Sequence, residues 1–238
     1  MTELSALLQR PQEALDPELA AYLVDSPLGP VIKHPLVFSI PHSPQLNAMA
    51  NARLRAKQDG CRQALQSRKW SQYLFLHERP YRVNAFTRIA AQLTARTYWT
   101  SLAELWIDAE NIAENEHLWT TLLQDSSRVR SRHLMMTVAE RRHLAQQPAL
   151  MRVYRGFNSD ERQEGMSWSL DAEVARRFAM RFGGHGRPRL ATGTVERSAV
   201  IAYLSGRGEH EIVVAPAAVR DQHVTGAHRS RGRTTLGG

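Results

Sequence analysis

The chain of 238 residues is 42% hydrophobic, so it can bury a sizeable core in one large domain or two small ones. Its formal charge of +8 favours an acidic partner, which could be a dinucleotide, a nucleic acid or an acidic protein surface. The single cysteine, Cys61, excludes an internal disulfide, and no stretch approaches the roughly 20 apolar residues needed to span a bilayer. Residues 1–10 lack the pattern of a signal peptide, so we expect a soluble cytoplasmic protein with no membrane contact.

Residues 1–44 are predicted to form a proline-rich N-terminal arm. Prolines recur through this part of the chain and leave room for only one short helix. Asp16 is a suitable N-cap and Pro17 suits the first helical position, so we expect that helix to run from Pro17 to about Val24. The rest of the arm is predicted to be extended.

Residues 45–146 are predicted to be helical and to belong to the same globular unit as the strands that follow. Ser43-Pro44 is a second helix start, and apolar residues follow at near-helical spacing until Gly60 interrupts the pattern. Further helices are predicted where apolar residues recur every three or four positions between residues 83 and 123. The tryptophans in this stretch are interpreted as helix-packing residues and not as a stacking platform: Trp99, Trp106 and Trp119.

The sequence Thr137-Val138-Ala139-Glu140 is a capping box that begins one more helix, which must end before Pro148. After it, the helical period gives way to short runs rich in β-branched and aromatic residues. Strands are predicted at residues 150–154, 189–195, 200–204 and 211–214, with an amphipathic helix at residues 171–182. We therefore expect an α+β protein with its strands in residues 147–224 and a basic, disordered tail at residues 225–238.

Three short motifs in the strand-rich part carry side chains suited to chemistry. Arg155 ends a short strand, Ser167-Trp168-Ser169 follows, and Glu209-His210-Glu211 stands at the start of an apolar strand. In an extended chain, alternation points both glutamates to one side and His210 to the other. The same alternation points Trp168 away from the two serines and into the core. A guanidinium at Arg155 can bind phosphate oxygens in a bidentate manner, which lysine cannot reproduce.

In their order and spacing, these motifs resemble the Arg, Ser-x-Ser and Glu-x-Glu signature of mono-ADP-ribosyltransferases. Enzymes of that family cleave the bond between nicotinamide and ribose in NAD and transfer the ADP-ribose to a macromolecular acceptor. The resemblance covers about residues 150–216 and points to phage-encoded, prophage-encoded and clostridial-toxin-like members. It implies a small, mostly antiparallel β-sandwich on which the helical region packs, located in the cytoplasm of a bacterium or a phage-infected cell.

The resemblance also assigns a role to each glutamate. Glu211 would hydrogen-bond the ribose 2′-hydroxyl and stabilise the oxocarbenium-like cation, and Glu209 would orient or deprotonate the incoming nucleophile. A glutamate at the first position of the motif accompanies arginine acceptors in the family, so a protein arginine is the expected target. Some members with a related signature modify nucleic acid bases, which leaves a nucleic-acid acceptor open. NAD is expected as a substrate, and no metal is expected.

The remaining motif residues would hold NAD. By resemblance, Arg155 would anchor it, Ser167 would hold the catalytic glutamate in place, and Ser169 would support the strand at the nicotinamide end of the pocket. Family members also place an aromatic residue and an arginine over the nicotinamide and the phosphates. Two pairs fit that spacing: Phe178 with Arg181, and Phe182 with Arg187.

Two features depart from the family pattern. Trp168 replaces a small hydroxyl residue in the serine triplet. The segment between Arg155 and Ser167 is shorter than in the bacterial toxins. This difference affects how the site is covered and not the motif residues at its base.

Other functions fit the sequence less well than ADP-ribosyl transfer. A basic nucleic-acid-binding or phage structural protein without catalysis would need a continuous basic face, whereas the arginines are scattered among acidic residues. An NAD glycohydrolase would not need Glu209, because water is a less demanding acceptor than a guanidinium. A serine hydrolase is disfavoured since Ser169 stands where its nucleophile turn requires glycine. No pair of histidines has the spacing of a metal site.

Overall fold

The structure, a computed structural model, describes residues 13–158, 164–181, 186–206 and 208–227. Over these ranges the chain combines helices with antiparallel sheets, which confirms the predicted α+β class. The chain packs as two compact units, Met1–Ile89 and Ala90–Gly238. This boundary falls inside the region predicted to be one helical block. Only the helices after Ala90 belong to the unit that contains the strand motifs.

In the first unit, the predicted proline-rich arm contains a small antiparallel sheet. Its strands are β1 (Leu23–Val24), β2 (Val31–His34) and β3 (Val37–Pro41), in that order. The short helix α1 (Pro17–Ala20) begins at its predicted N-cap, where the Asp16 carboxylate accepts a hydrogen bond from the Glu18 backbone at 2.9 Å. The helix ends before Val24 because that residue pairs with Val31 in the sheet. The arm is therefore folded and not merely extended.

The first unit also contains the helices α2 (Asn47–Gln66), α3 (Trp70–Leu76) and α4 (Arg82–Ile89). Helix α2 continues through Gly60, where the sequence predicts an interruption. A Cβ atom at residue 60 would approach the Leu76 side chain to 3.2 Å, so glycine lets α3 pack closely against α2. This packing offsets the roughly 1 kcal/mol that glycine costs inside a helix. Spacing along the chain does not reveal such a contact.

The helices that precede the strands of the second unit are α5 (Ala95–Asp108), α6 (Glu116–Leu123) and α7 (Val138–Gln146). Thr94 caps α5, and Thr137 with Glu140 forms the predicted capping box of α7. The predicted packing role of the tryptophans is confirmed, because all three are buried and the rings of Trp106 and Trp119 meet edge to face at 5.1 Å. Within the described ranges, no helix has the length and apolar character needed to cross a membrane.

The described strands of the second unit form one antiparallel sheet in the order β7-β8-β5-β4-β6-β9. The elements are β4 (Leu150–Phe157), β5 (Ser167–Ser169), α8 (Ala172–Arg181), β6 (Arg189–Glu196), β7 (Val200–Leu204), β8 (Glu211–Val214) and β9 (Arg220–Gly226). Strand β9 is not predicted by the sequence, since its residues are mostly polar and exposed. It pairs Thr225 with Leu190, so the predicted disordered tail begins inside a strand. The rest of that tail, from residue 228, lies outside the described residues.

The sheet is nearly divided between β4 and β5. These strands are joined at a single residue pair, Tyr154 with Ser169, whereas β4 pairs with β6 over eight positions. Instead of the predicted sandwich of two sheets, the described strands form one sheet whose two halves separate beyond that pair. Apolar residues from both halves meet in one core cluster, which includes Val153 and Trp168. The prediction that Trp168 faces the core is thus confirmed.

Glu140 is a buried carboxylate that ties α7 to the end of β7. It accepts hydrogen bonds from the backbone and hydroxyl of Thr137, both at 2.8 Å, and from the Ser205 backbone at 2.7 Å. Burial alone would raise the pKa of Glu140, but the hydrogen bonds from Ser205 and Thr137 outweigh it and lower that pKa below its usual value. The ionised carboxylate therefore stabilises the fold at the start of the turn that leads to Glu209.

Replacing Glu140 with glutamine should lower the free energy of unfolding at neutral pH by about 1–3 kcal/mol, the scale for hydrogen bonds to a charged group. Because the folded pKa is depressed, this contribution is complete above the unfolded pKa and is lost as the pH falls through the folded value. Urea unfolding should therefore be measured at about pH 7 and about pH 3. The difference in the free energy of unfolding between the variant and the native protein should be smaller at the lower pH. The exposed Glu104→Gln substitution is the control, and an unchanged gap at both pH values would contradict this account.

Candidate active site

A solvent-open pocket of about 160 Å³ lies where β4 and β5 separate. Its lining comes from β4, β5, α8, the start of β8 and residues 110–113. Six residues singled out from the sequence line this one pocket: Arg155, Ser167, Ser169, Phe178, Glu209 and Glu211. Arg181, at the exposed end of α8, does not line it. Of the alternative pair, Phe182 lies outside the described residues, and the exposed Arg187 does not line the pocket.

Glu211 is the most enclosed carboxylate of this pocket, with 8% of its surface exposed. Its Oε1 atom accepts a hydrogen bond from Trp106 Nε1 at 2.9 Å and another from the Ser167 hydroxyl. The register of the sheet explains the second bond, because Glu211 pairs with Ser169 and Ser167 lies two residues further along the same face. Two donors from distant parts of the chain therefore orient one carboxylate.

Ser169 acts on the backbone around the pocket. Its hydroxyl donates to the carbonyl oxygen of Glu209 at 2.7 Å and accepts from the backbone N–H of Asp171 at 3.0 Å. The Asp171 carboxylate in turn accepts from the backbone of Glu173 at the first turn of α8. Ser169 thus joins the segment before β8 to the start of α8, because its hydroxyl bonds to the backbone of both.

The Glu209-His210-Glu211 motif is not extended throughout. His210 adopts a left-handed conformation with φ of +46°, and only Glu211 belongs to β8. The alternation predicted for the motif is therefore wrong at its first residue, although both glutamates line the pocket. The chain changes direction at His210, which places Glu209 at a partly exposed position and leaves Glu211 buried.

The left-handed His210 is held by contacts outside the pocket. Its Nδ1 atom shares a hydrogen bond of 2.7 Å with the Tyr203 hydroxyl, and its carbonyl oxygen accepts from the Leu170 backbone at 3.0 Å. The Tyr203 ring is buried and stacks on His143 at 4.5 Å between centroids. Burial and, to a smaller extent, Glu140 raise the pKa of Tyr203, so its hydroxyl keeps its proton. These contacts stabilise a conformation that costs about 1–2 kcal/mol in isolation.

Two residues at the start of β5 and just before it position Arg155: Ser167 and Gly165. Its Nη1 atom donates to the carbonyl oxygen of Ser167 at 2.7 Å. The guanidinium also lies against Gly165, where any Cβ atom would overlap it. Since Ser167 donates its hydroxyl to Glu211 and accepts at its carbonyl from Arg155, one residue connects the cation to the buried acid.

Glycine also explains why α8 lies close to the pocket. A Cβ atom at Gly156 would overlap the carbonyl oxygen of Ala175, so only glycine allows the α8 backbone to rest directly on β4. Val174, Ala175 and Phe178 then form an apolar wall beside Arg155. The pocket thus has one apolar side and one side rich in carboxylates.

The sequence motifs do not identify Trp106, which donates a hydrogen bond to the pocket residue Glu211, or residues 110–113, which line the pocket. Trp106 fits the helical spacing of packing residues, and nothing in that spacing indicates a hydrogen bond to Glu211. Residues 110–113, between α5 and α6, carry no recognisable signature, yet all four of them line the pocket. Both come from the helical region and reach the site only through tertiary packing.

The arrangement joins a buried carboxylate, a second carboxylate and a guanidinium around one opening. A carboxylate held by fixed donors can stabilise positive charge that develops on a bound molecule. A guanidinium is suited to phosphate oxygens. Within the described ranges, no three His, Cys, Asp or Glu side chains are grouped so that they could hold a metal ion.

The left-handed conformation of His210 makes a specific prediction about stability. The substitutions His210→Ala and His210→Gly both remove the bond to Tyr203, but only glycine adopts positive φ without strain. The glycine variant should therefore be more stable than the alanine variant by about 1 kcal/mol in urea unfolding. The control is the same two substitutions at Arg152, an exposed residue of β4. There the alanine variant should be more stable than the glycine variant. If alanine is the more stable replacement at both positions, His210 is not strained.

Comparison of the chain with protein-family models, with curated proteins and with solved structures finds no match.

Proposed function

We propose that this protein is an NAD-dependent mono-ADP-ribosyltransferase whose acceptor is an arginine side chain of another protein. The observation that carries the proposal is the meeting of Arg155, Ser167, Glu209 and Glu211 in one pocket, with the Ser167 hydroxyl on the Glu211 carboxylate. In this proposal residues 147–224 form the ADP-ribosyltransferase core, and residues 110–113 complete its pocket. The enzyme acts in the cytoplasm of a bacterium or a phage-infected cell.

Glu211 stabilises the transition state for loss of nicotinamide. When the bond between ribose C1′ and the nicotinamide nitrogen breaks, its electron pair leaves with nicotinamide and positive charge develops on the ribose. The Glu211 carboxylate is 8% exposed, so its attraction for that charge is weakly screened by solvent. Its two donors keep it in place throughout, and the reaction therefore needs little reorganisation around it.

Arg155 and the apolar wall bind the rest of NAD. The Arg155 guanidinium, fixed by the Ser167 carbonyl at 2.7 Å, pairs with the pyrophosphate. The nicotinamide ring rests on the apolar side of the pocket, where Phe178 and Val174 lie. Binding at both ends holds the scissile bond beside Glu211, which supplies the positional part of catalysis.

Glu209 serves the acceptor. It lines the pocket together with Glu110, and Glu209 is partly exposed and Glu110 exposed, so an acceptor that approaches from solvent meets two carboxylates. A guanidinium is attracted to such a surface, whereas the phosphates of a nucleic acid are repelled. As a guanidinium nitrogen bonds to C1′, Glu209 takes the proton that this nitrogen loses. This charge distribution favours a protein acceptor over a nucleic-acid acceptor.

Incubation of the purified protein with adenylate-labelled NAD and a bacterial lysate tests the proposal. A labelled product that is degraded by protease and resists nuclease supports a protein acceptor. Label removed by nuclease would overturn the protein acceptor, and free ADP-ribose alone would indicate a glycohydrolase. Unchanged NAD would overturn the enzyme altogether and leave a basic binding protein as the alternative.

Replacing Glu211 with glutamine should lower the rate of nicotinamide release by about a hundredfold or more, because the neutral amide cannot stabilise the ribosyl cation. Transfer to the acceptor should fall in parallel, and thermal unfolding should show that the fold is retained. Glu104→Gln, on the exposed side of α5, should behave like the native protein. A Glu211→Gln variant with nearly full activity would remove the mechanism.

Replacing Glu209 with glutamine should suppress transfer and spare the hydrolysis of NAD, since water needs less activation than a guanidinium. The ratio of transferred to free ADP-ribose, measured at saturating NAD with a peptide rich in arginine, reports the change. Equal loss of both reactions would show that Glu209 acts on NAD and not on the acceptor.

A further inference from the structure

The buried acid of the pocket is held by a tryptophan that lies 105 residues earlier in the chain. Trp106 is on the last turn of α5, and its indole Nε1 donates to Glu211 Oε1 at 2.9 Å. The side chain is 1% exposed, and Trp119 packs edge-on against it with an interplanar angle of 76°. The indole is therefore fixed on one side by the helix and on the other by an aromatic ring.

An indole differs chemically from the hydroxyl that shares the same oxygen. The Ser167 hydroxyl can rotate and can act as donor or acceptor, whereas the indole N–H can only donate. A ring buried to this extent also has few alternative rotamers. Trp106 therefore determines where Glu211 Oε1 must lie, and Ser167 adjusts to that position.

We propose that Trp106 is a positioning residue for Glu211, which fixes the orientation of the carboxylate toward the ribose of bound NAD. This role rests on the proposed function, because it gives the Trp106–Glu211 hydrogen bond a consequence for catalysis. It also explains why a tryptophan, and not a smaller apolar residue, occupies this position of α5. The helical region is then part of the catalytic machinery and not only a support for the sheet.

A purely structural role for Trp106 predicts something different. If the indole serves only to fill space, removing its N–H should affect stability alone, and an equally buried neighbour should behave in the same way. Trp119 provides that comparison, since it is 2% exposed and belongs to the same aromatic pair. The two tryptophans therefore form a matched set for mutation.

Kinetics of Trp106→Phe and Trp119→Phe in the full chain test the proposal. Trp106→Phe should lower kcat for nicotinamide release by about tenfold to a hundredfold, with KM for NAD changed by less than about twofold, because ground-state binding is retained and transition-state stabilisation is lost. Trp119→Phe should change kcat by less than about twofold. Equal effects of the two substitutions on kcat would overturn the proposal. If Trp106→Phe does not fold, site-specific replacement of the Trp106 indole by benzothiophene keeps the shape and removes only the N–H, with the same expected loss of kcat.

Nuclear magnetic resonance of the indole groups separates this proposal from the proposed function. The chain has five tryptophans, and the indole N–H signal missing in Trp106→Phe identifies Trp106. That signal should shift in Glu211→Gln by more than the other four, while Glu104→Gln should leave it in place. A signal unaffected by Glu211→Gln would overturn the hydrogen bond and with it the positioning role, even in an active enzyme. A shifted signal in a protein that does not cleave NAD would instead overturn the proposed function and the catalytic consequence drawn from it.

Discussion

A buried carboxylate is costly unless polar partners reach it, and the second unit brings two hydrogen-bond donors to Glu211. One donor comes from the sheet, where the pairing of β5 with β8 places Ser167 on the same face as Glu211. The other comes from α5, which must pack so that the Trp106 indole is within 2.9 Å of the same oxygen. The position of the helices in this unit is therefore constrained by a single side chain of the sheet.

The pocket exists because the sheet is interrupted beside that acid. Strands β4 and β5 share one described pair, and beyond it each continues with a different neighbour. Two glycines allow close packing around the pocket. The backbone of α8 lies against Gly156, and the guanidinium of Arg155 lies against Gly165. A Cβ atom at residue 156 would overlap the backbone of α8, and one at residue 165 would overlap the guanidinium of Arg155. Backbone packing thus determines the shape of the pocket as much as the polar motifs do.

Local patterns in the sequence predict much of this structure, and long-range packing accounts for what they miss. The β-branched runs predict strands β4, β6, β7 and β8, and the capping box predicts the start of α7. Strand β9 is polar and gains its stability from pairing with β6, so composition alone indicates a tail. Within the site, the motifs predict that Arg155, Ser167 and Glu211 come together, whereas no motif predicts the Trp106 hydrogen bond to Glu211 or the lining by residues 110–113.

The left-handed turn at His210 explains how two glutamates so close in sequence can have different environments. In a continuous strand, both side chains would lie on the same face and share one degree of burial. The turn instead leaves Glu211 buried in β8, with 8% exposure, and leaves Glu209 partly exposed, with its carbonyl oxygen accepting a hydrogen bond from the Ser169 hydroxyl at 2.7 Å. An acid that stabilises a cation benefits from enclosure, and one that accepts a proton from an incoming nucleophile must be reached from outside. In the proposed function, the left-handed backbone at His210 is therefore the feature that separates the roles of the two glutamates.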